Sequence, residues 1–276
     1  MIRDMLVNLT QGADQDPAAT FAVSLAAHFS AHLTSFAVTY EIDVPPFYMG
    51  AVPTDFIDAQ MQENQTLAAR SAQNFRALAG ASGVAHEVRE VSASLGVAAN
   101  AFAEMARLYD LTVVAQPNPD RPGPEEVIAE AALLDSGRAV LLVPYVQKAP
   151  YSAGRIVVAW DGSRAAARAL TEGLPLLHAA KSVEIFCVQR GSTADADVGL
   201  DVVRHLARHQ ITAQIRTLHL GSSDGVAEAI LNEVSDQAAD LVIMGGYGHS
   251  RLKELVFGGV TREIVSTMTV PVLMAH

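Results

Sequence analysis

Short apolar runs alternate with longer amphipathic stretches along the first half of the chain. Apolar runs of this length, bounded by turn residues, are typical of strands buried on both faces, and the stretches between them are typical of helices. The strands are predicted at 5–10, 33–40, 86–91, 111–115 and 139–143. Helices are predicted at 17–31, with Asp16 as candidate N-cap, at 55–81 and at 95–109. The predicted order is βαβαβαβαβ, in which the helix between the fourth and fifth strands has no assigned range.

The second half repeats this order after a segment at 147–153 that resembles a linker, with Pro150 and small polar residues. Its strands are predicted at 156–160, 183–188, 214–218, 241–244 and 270–274, and its helices at 164–177, 195–209, 224–237 and 261–267.

The register of the two halves indicates an internal repeat. Leu6 matches Val157 at an offset of 151 positions, whereas Asp110 matches Asp240 at an offset of 130. The difference of about twenty predicts an insertion in the first copy, between residues 41 and 54. We therefore predict an α/β protein of two tandem domains, 1–146 and 154–276, each a five-stranded, mainly parallel sheet sandwiched by helices. Duplication favours an intramolecular pseudo-dimer, with a homodimer as a further arrangement.

Composition narrows the function classes. The chain carries a formal net charge of −11, which repels nucleic acid backbones and anionic membranes. Its apolar runs are shorter than the ~20 residues of a membrane span, and residues 1–10 lack the pattern of a signal peptide. The single cysteine, Cys187, cannot form an internal disulfide. We expect a soluble, cytoplasmic protein without nucleic acid or membrane partners.

The segment 240–261 carries the clearest candidate chemistry. A buried strand leads into Gly245 and Gly248, nine residues follow, and Gly258 and Gly259 then precede a helix. Glycines let backbone N–H groups approach an anion, and a helix N-terminus adds unpaired donors, so the segment suits a di- or triphosphate. Tight turns and close helix packing explain the same glycines equally well.

These residues resemble the universal stress protein family. The family pattern is Gly, two residues, Gly, nine residues, Gly and then Ser or Thr, and its three glycine positions fall on Gly245, Gly248 and Gly258. The segment 156–163, IVVAWDGS, is similar to the family's first strand and turn, and VPVL at 270–273 is similar to its last strand. The resemblance implies an adenine nucleotide alpha hydrolase-like fold, and its motifs cover the second half only.

The resemblance also implies a nucleotide site at the carboxyl ends of the strands, in agreement with the general rule for open parallel sheets. ATP, with or without Mg²⁺, is the implied ligand. The matching positions are Ala159, Trp160, Asp161, Val188, Met244, Gly245, Gly248, His249, Gly258, Gly259, Val260 and Thr261.

Several of these residues have two possible roles. Asp161 either accepts hydrogen bonds from a nucleotide or caps the helix that follows it. Trp160 either flanks the base or packs at the sheet edge. His249 either reaches a phosphate or lies in solvent. Gly259 departs from the family pattern, because the Ser or Thr hydroxyl expected there is missing; Thr261 still offers a hydroxyl in the first helical turn.

The first half lacks the features of a phosphate site. Its loop at 116–124 holds four prolines, which have no N–H to donate, and Asp120, which repels anions. Thr10 stands where the second half has Asp161. We expect this copy to lack the nucleotide site.

No catalytic or metal site is predicted. The pairs His28/His32 and His205/His209 have the i, i+4 spacing of one helix face, but no third ligand accompanies them. Cys187 lies in an apolar strand, where an inert thiol is expected. The sequence therefore predicts a cytoplasmic stress-response protein whose second domain binds ATP as a regulatory ligand. The alternatives are an interaction protein that binds no nucleotide and a slow ATPase.

Overall fold

A computed structural model describes residues 1–42, 53–118, 123–190, 199–221, 225–246 and 259–276. The chain divides into two compact units, one of residues 1–136 and 148–151, the other of residues 137–147 and 152–276. Each unit has a sheet with helices packed against it.

The first unit contains four strands and four helices among its described residues. In chain order these are β1 (Asp4–Asn8), α1 (Pro17–Phe29), β2 (His32–Tyr40), α2 (Thr54–Ala81), β3 (His86–Ala93), α3 (Leu95–Ala106), β4 (Leu111–Ala115) and α4 (Glu125–Asp135). The strands lie in the order β3-β2-β1-β4 and the pairs within this order are parallel. Helices α1 and α2 pack on one another, as do α3 and α4.

The second unit contains six strands and four helices among its described residues. These are β5 (Val140–Val143), β6 (Arg155–Ala159), α5 (Arg164–Ala179), β7 (Ser182–Arg190), α6 (Leu200–Arg208), β8 (Ala213–Leu220), α7 (Val226–Asp236), β9 (Leu241–Gly245), α8 (Gly259–Thr267) and β10 (Val272–Ala275). Their order is β5-β10-β9-β6-β7-β8, and only the β5–β10 pair is antiparallel among these described strands.

The ten predicted strands are confirmed, and most of their ends shift by one or two residues. The distribution of strands differs from five for each sheet, because β5 belongs with the second unit and pairs with β10, Leu141 opposite Leu273. The VPVL segment thus pairs within the chain. The predicted helix at 195–209 begins at Leu200 as far as the described residues show.

Burial explains the alternating pattern of the sequence. The residues of β4, β5 and β10 are buried throughout, as a strand covered on both faces requires. Asp16 caps α1 as predicted: its Oδ1 accepts a hydrogen bond from the Ala19 N–H at 3.0 Å, and Pro17 opens the helix.

The two units anchor their first strands in the same way. In the first unit the Asp110 carboxylate accepts from the Arg3 N–H at 2.7 Å, and in the second the Asp240 carboxylate accepts from the Arg155 N–H at 2.7 Å. Asp110 directly precedes β4, and Asp240 directly precedes β9.

Candidate functional site

The candidate site lies at the carboxyl ends of β6 and β9. These strands are parallel neighbours, and Ala159 at the end of β6 stands opposite Met244 in β9 and Phe186 in β7. From β6 the chain continues outward to β7 and β8, whereas β9 leads outward on the other side to β10. The gap between β6 and β9 is therefore a topological switch point, where open α/β sheets bind ligands.

The turn from β6 into α5 places Asp161 at this end of the sheet. The Trp160 N–H donates to the Phe186 carbonyl at 2.9 Å and so extends the β6–β7 ladder by one residue. Asp161 is exposed, and its Oδ1 accepts from the Ser163 N–H at 2.9 Å. Among the described residues the Asp161 Oδ2 has no partner, which leaves one carboxylate oxygen able to accept from a ligand.

Asp161 does not cap α5. The cap is Ser163, whose Oγ accepts from the Ala166 N–H at 3.1 Å, so the capping alternative for Asp161 is wrong. Asp161 is two residues too early, and its hydrogen bond instead stabilises the turn at Gly162, where φ is +74°. Sequence reasoning missed Ser163, although a serine directly before the first helical residue is a recognisable N-cap signal.

Trp160 follows an interior strand. Since β6 lies between β9 and β7, packing of Trp160 at a sheet edge is excluded. The residue is half-buried. Val188, near the end of β7, is also half-buried and stands opposite Leu218 of β8. Both residues thus lie near the strand ends that flank the switch point.

Gly245 is required by helix packing. A Cβ at this position would lie 2.6 Å from the Ala166 nitrogen and 2.9 Å from the Ala165 carbonyl carbon, both backbone atoms of α5. The neighbouring Gly246 N–H donates to the Ala275 carbonyl at 2.8 Å. Gly245 therefore allows α5 to start close to β9, and the Gly246 amide is already occupied.

The centre of the glycine segment lies outside the described residues. This holds for Gly248, His249 and Gly258, so the predicted convergence of their amides on one anion stays a prediction.

Beyond that segment, Gly259 is the first described residue of α8 and is exposed, and no described atom lies within 4 Å of the position its Cβ would take. Val260 is 37% exposed and Thr261 is 5% exposed.

The corresponding strand end of the first unit has a longer turn, residues 9–16, which is bonded to α2. The Ser71 Oγ accepts from the Gly12 N–H at 3.2 Å and donates to the Thr10 carbonyl at 3.1 Å. Gln11 donates to the Asn64 carbonyl at 3.1 Å. These contacts join three consecutive turn residues to a helix far away in sequence.

The histidine pairs and Cys187 form no metal or catalytic site among the described residues. His28 lies in α1 and His32 begins β2, so the prediction that they share a helix face is wrong. His205 and His209 lie with ring centroids 4.7 Å apart, and the described residues contain no group of three or more potential metal ligands. Cys187 is buried, and burial raises the pKa of its thiol to about 11, so the reactive thiolate is scarce at neutral pH.

In the second unit, Glu184 has a raised pKa and forms a carboxylate pair with Glu233. Glu233 is 4% exposed and pairs with Arg216 at 2.9 Å. Burial, followed by contact with Glu233, raises the pKa of Glu184 to about 6. The pair lies between β7 and α7, away from the turn that carries Asp161, so it does not contribute to the candidate site.

Within the described ranges, no helix has both the length and the apolar character needed to cross a bilayer.

Comparison with known proteins adds a family similarity for the second half of the chain. Residues 153–276 match the model of the universal stress protein family. A universal stress protein of Synechocystis sp. is 44% identical over 46 residues, an alignment that spans 17% of this chain and only 16% of that relative.

Two solved structures share the fold. A universal stress protein from Archaeoglobus fulgidus superposes with a TM-score of 0.69 at 15% identity, covering 99% of this chain and 95% of that one. A putative universal stress protein from Pseudomonas aeruginosa gives a TM-score of 0.56 at 15% identity, covering 99% and 92%. Residues 153–276 are thus similar to the universal stress protein family, and the chain shares the fold of these two structures.

Proposed function

We propose that residues 153–276 bind an adenine nucleotide, ATP, as a regulatory ligand in a cytoplasmic stress response. The observation that carries the proposal is the meeting of the motif-bearing strand ends at the switch point, where Ala159 stands opposite Met244 and the exposed Asp161 follows directly. A ligand here would lie beside the turn from β6 into α5 and could donate a hydrogen bond to the Asp161 carboxylate.

The proposal assigns binding and no catalysis to this site. Hydrolysis of ATP needs a positioned general base or a bound metal. Among the described residues, Asp161 is the one carboxylate of the turn, and its Oδ1 is engaged by the Ser163 N–H. Mg²⁺, where present, would arrive with the nucleotide.

The test is a titration of the purified chain with ATP. Binding is monitored by the fluorescence of Trp160, the only tryptophan in the sequence, and by calorimetry. We expect a saturable change with one site per chain. Loss of a hydrogen bond to a charged group costs about 1.5–3 kcal/mol, so Asp161→Ala should raise the Kd for ATP about 10- to 100-fold.

Two further variants separate binding from folding. Asp161→Asn keeps an acceptor for the Ser163 N–H and should bind ATP better than Asp161→Ala. Asp201→Ala removes an exposed carboxylate on α6 whose partner among the described residues is Arg204, and this variant should bind as the parent does. A parent that gives no heat and no fluorescence change at millimolar ATP refutes the proposal.

The competing function is an interaction protein without a nucleotide, favoured by Gly259 in place of Ser or Thr. A flat ATP titration would support it. A slow ATPase predicts phosphate release that disappears in Asp161→Ala, and the binding proposal predicts no release above background.

A further inference from the structure

The first unit contains a cavity of about 380 Å³ between the 9–16 turn, the start of α1 and the middle of α2. We call it the first-unit cavity. Its walls include Leu9, Thr10, Asp14, Asp16, Ser71 and Phe75. The volume falls at the lower end of the ~300–1,000 Å³ range of small-molecule sites.

The charged residues that line the first-unit cavity are acidic. Of its twelve described lining residues two are aspartates, and none is lysine, arginine or histidine; Asp14 pairs at 3.6 Å with Arg70, which lies outside this lining. Glu125, at the start of α4, lies close enough to Asp16 for the two carboxylates to repel each other, which raises the pKa of Glu125 further after burial has raised it. An anionic ligand such as a nucleotide is therefore disfavoured here.

Asp16 is the central charge and lacks a counter-ion. Its Oδ2 accepts from the Thr10 N–H at 2.7 Å and its Oδ1 from the Ala19 N–H at 3.0 Å. The Thr10 hydroxyl faces the carboxylate without reaching hydrogen-bond geometry. No cation pairs with Asp16 among the described residues, and burial raises its pKa because the charged form is poorly solvated.

The other walls are apolar. Leu9 is 5% exposed, Ala19 3% and Phe75 2%, so each presents hydrocarbon to the cavity from a fixed position. A ligand that combines a positive charge with a short hydrocarbon chain would match both surfaces. The ammonium group would supply a counter-charge for Asp16, and its chain would bury apolar surface against these walls.

We propose that the first-unit cavity binds a small organic cation, a primary ammonium group on a short alkyl chain, with the ammonium beside Asp16 and Asp14 and the chain against Leu9 and Phe75. The second half of the chain takes no part, so this site is independent of the nucleotide proposed there. The first copy then binds a ligand of opposite charge.

The test compares three probes of equal chain length by calorimetry on the full chain at low ionic strength: butylammonium, 1-butanol and butanoate. We expect saturable binding of one butylammonium per chain, weaker binding of 1-butanol and none of butanoate. Added salt should weaken the butylammonium signal. Equal heats for all three probes, or stronger binding of butanoate, overturn the proposal.

Two variants place the site. Ala13→Leu adds a side chain to the cavity wall and should abolish butylammonium binding. Asp14→Asn removes one charge, and the Kd should rise about fivefold, as expected for charges about 4 Å apart in water. The matched control Asp58→Asn removes an exposed carboxylate of α2 outside the cavity and should leave the Kd unchanged.

The two variants protect the test from misfolding. Asp14 is largely exposed and its one ion pair, with Arg70 at 3.6 Å, is long, so Asp14→Asn should fold even where Ala13→Leu does not. Equal affinities in Asp14→Asn and Asp58→Asn overturn the placement of the cation at this cavity.

Discussion

The two units build the same strand–turn–helix element with opposite results for the turn. In the first unit the turn between β1 and α1 spans eight residues and is bonded to α2 through Gln11, Gly12 and Thr10. In the second the turn between β6 and α5 spans four residues and leaves Asp161 exposed. The helices that follow are capped alike, by Asp16 and by Ser163.

This difference shows that the fold alone does not decide whether the polar groups of this turn are open to a ligand. Both units place a central strand at a switch point and a capped helix beyond it. In the first unit, Ser71 takes up the Gly12 amide and the Thr10 carbonyl that a ligand would otherwise contact. In the second, the short turn has no such partner among the described residues, and its polar groups remain accessible.

The turn length also explains a substitution in the neighbouring strand. β4 pairs Leu111 with Met5, as β9 pairs Leu241 with Ile156, so Ala115 in the first unit is the counterpart of Gly245. A Cβ is present at Ala115, whereas at Gly245 it would meet backbone atoms of α5 within 3 Å. The short turn brings its helix closer to the sheet, and only glycine fits.

The first prediction compares substitutions at these two matching positions, Gly245 and Ala115. Gly245→Ala should destabilise the chain by about 3 kcal/mol, because the added methyl group forces α5 away from β9 and backbone cannot yield as a side chain can. The measurement is the free energy of unfolding from urea denaturation. Ala115→Gly is the matched control and should cost about 1 kcal/mol, the usual effect of glycine within a strand. Equal costs would contradict the packing argument.

The second prediction compares the two caps. Asp16→Ala should cost about 2 kcal/mol and Ser163→Ala about 1 kcal/mol, because Asp16 satisfies the Thr10 amide as well as Ala19 whereas Ser163 satisfies Ala166 alone. Urea denaturation gives both values, and amide hydrogen exchange at Thr10 should quicken only in Asp16→Ala. If Ser163→Ala costs more stability than Asp16→Ala, the hydrogen bond from the Thr10 N–H to Asp16 does not stabilise the 9–16 turn as proposed.

Much of the fold followed from the sequence because buried strands leave an unambiguous apolar signal. The predicted strands at 33–40 and 111–115 agree with β2 and β4 almost residue for residue. The pairing of β5 with β10, more than a hundred residues later in the chain, could not be predicted from local sequence. A strand has the same apolar pattern and length whichever strand it pairs with. The linker and the repeat offset indicated two domains without saying where β5 would pair.

The candidate site was predicted less completely, for a physical reason at each residue. Glycine patterns do not distinguish an anion cradle from close packing, and Gly245 serves packing. Two polar residues before α5 both fit a cap, and only the helix start decides for Ser163. The bonds from the 9–16 turn to α2 join residues about sixty positions apart, so no local pattern announces them.

The third prediction restores the family residue in the second unit and so sharpens its contrast with the first. Gly259→Ser should lower the Kd for ATP about tenfold, or about 1.4 kcal/mol, because a hydroxyl returns to the first turn of α8. No atom of the described residues lies within 4 Å of the position a Cβ would occupy, so the serine fits against them without strain. Gly259→Ala is the matched control: it adds the same Cβ without the hydroxyl and should bind as the parent does. Calorimetry on all three chains decides, since an equal gain in both variants would assign the effect to helix stabilisation, and no gain in either would show that α8 does not contact the phosphates.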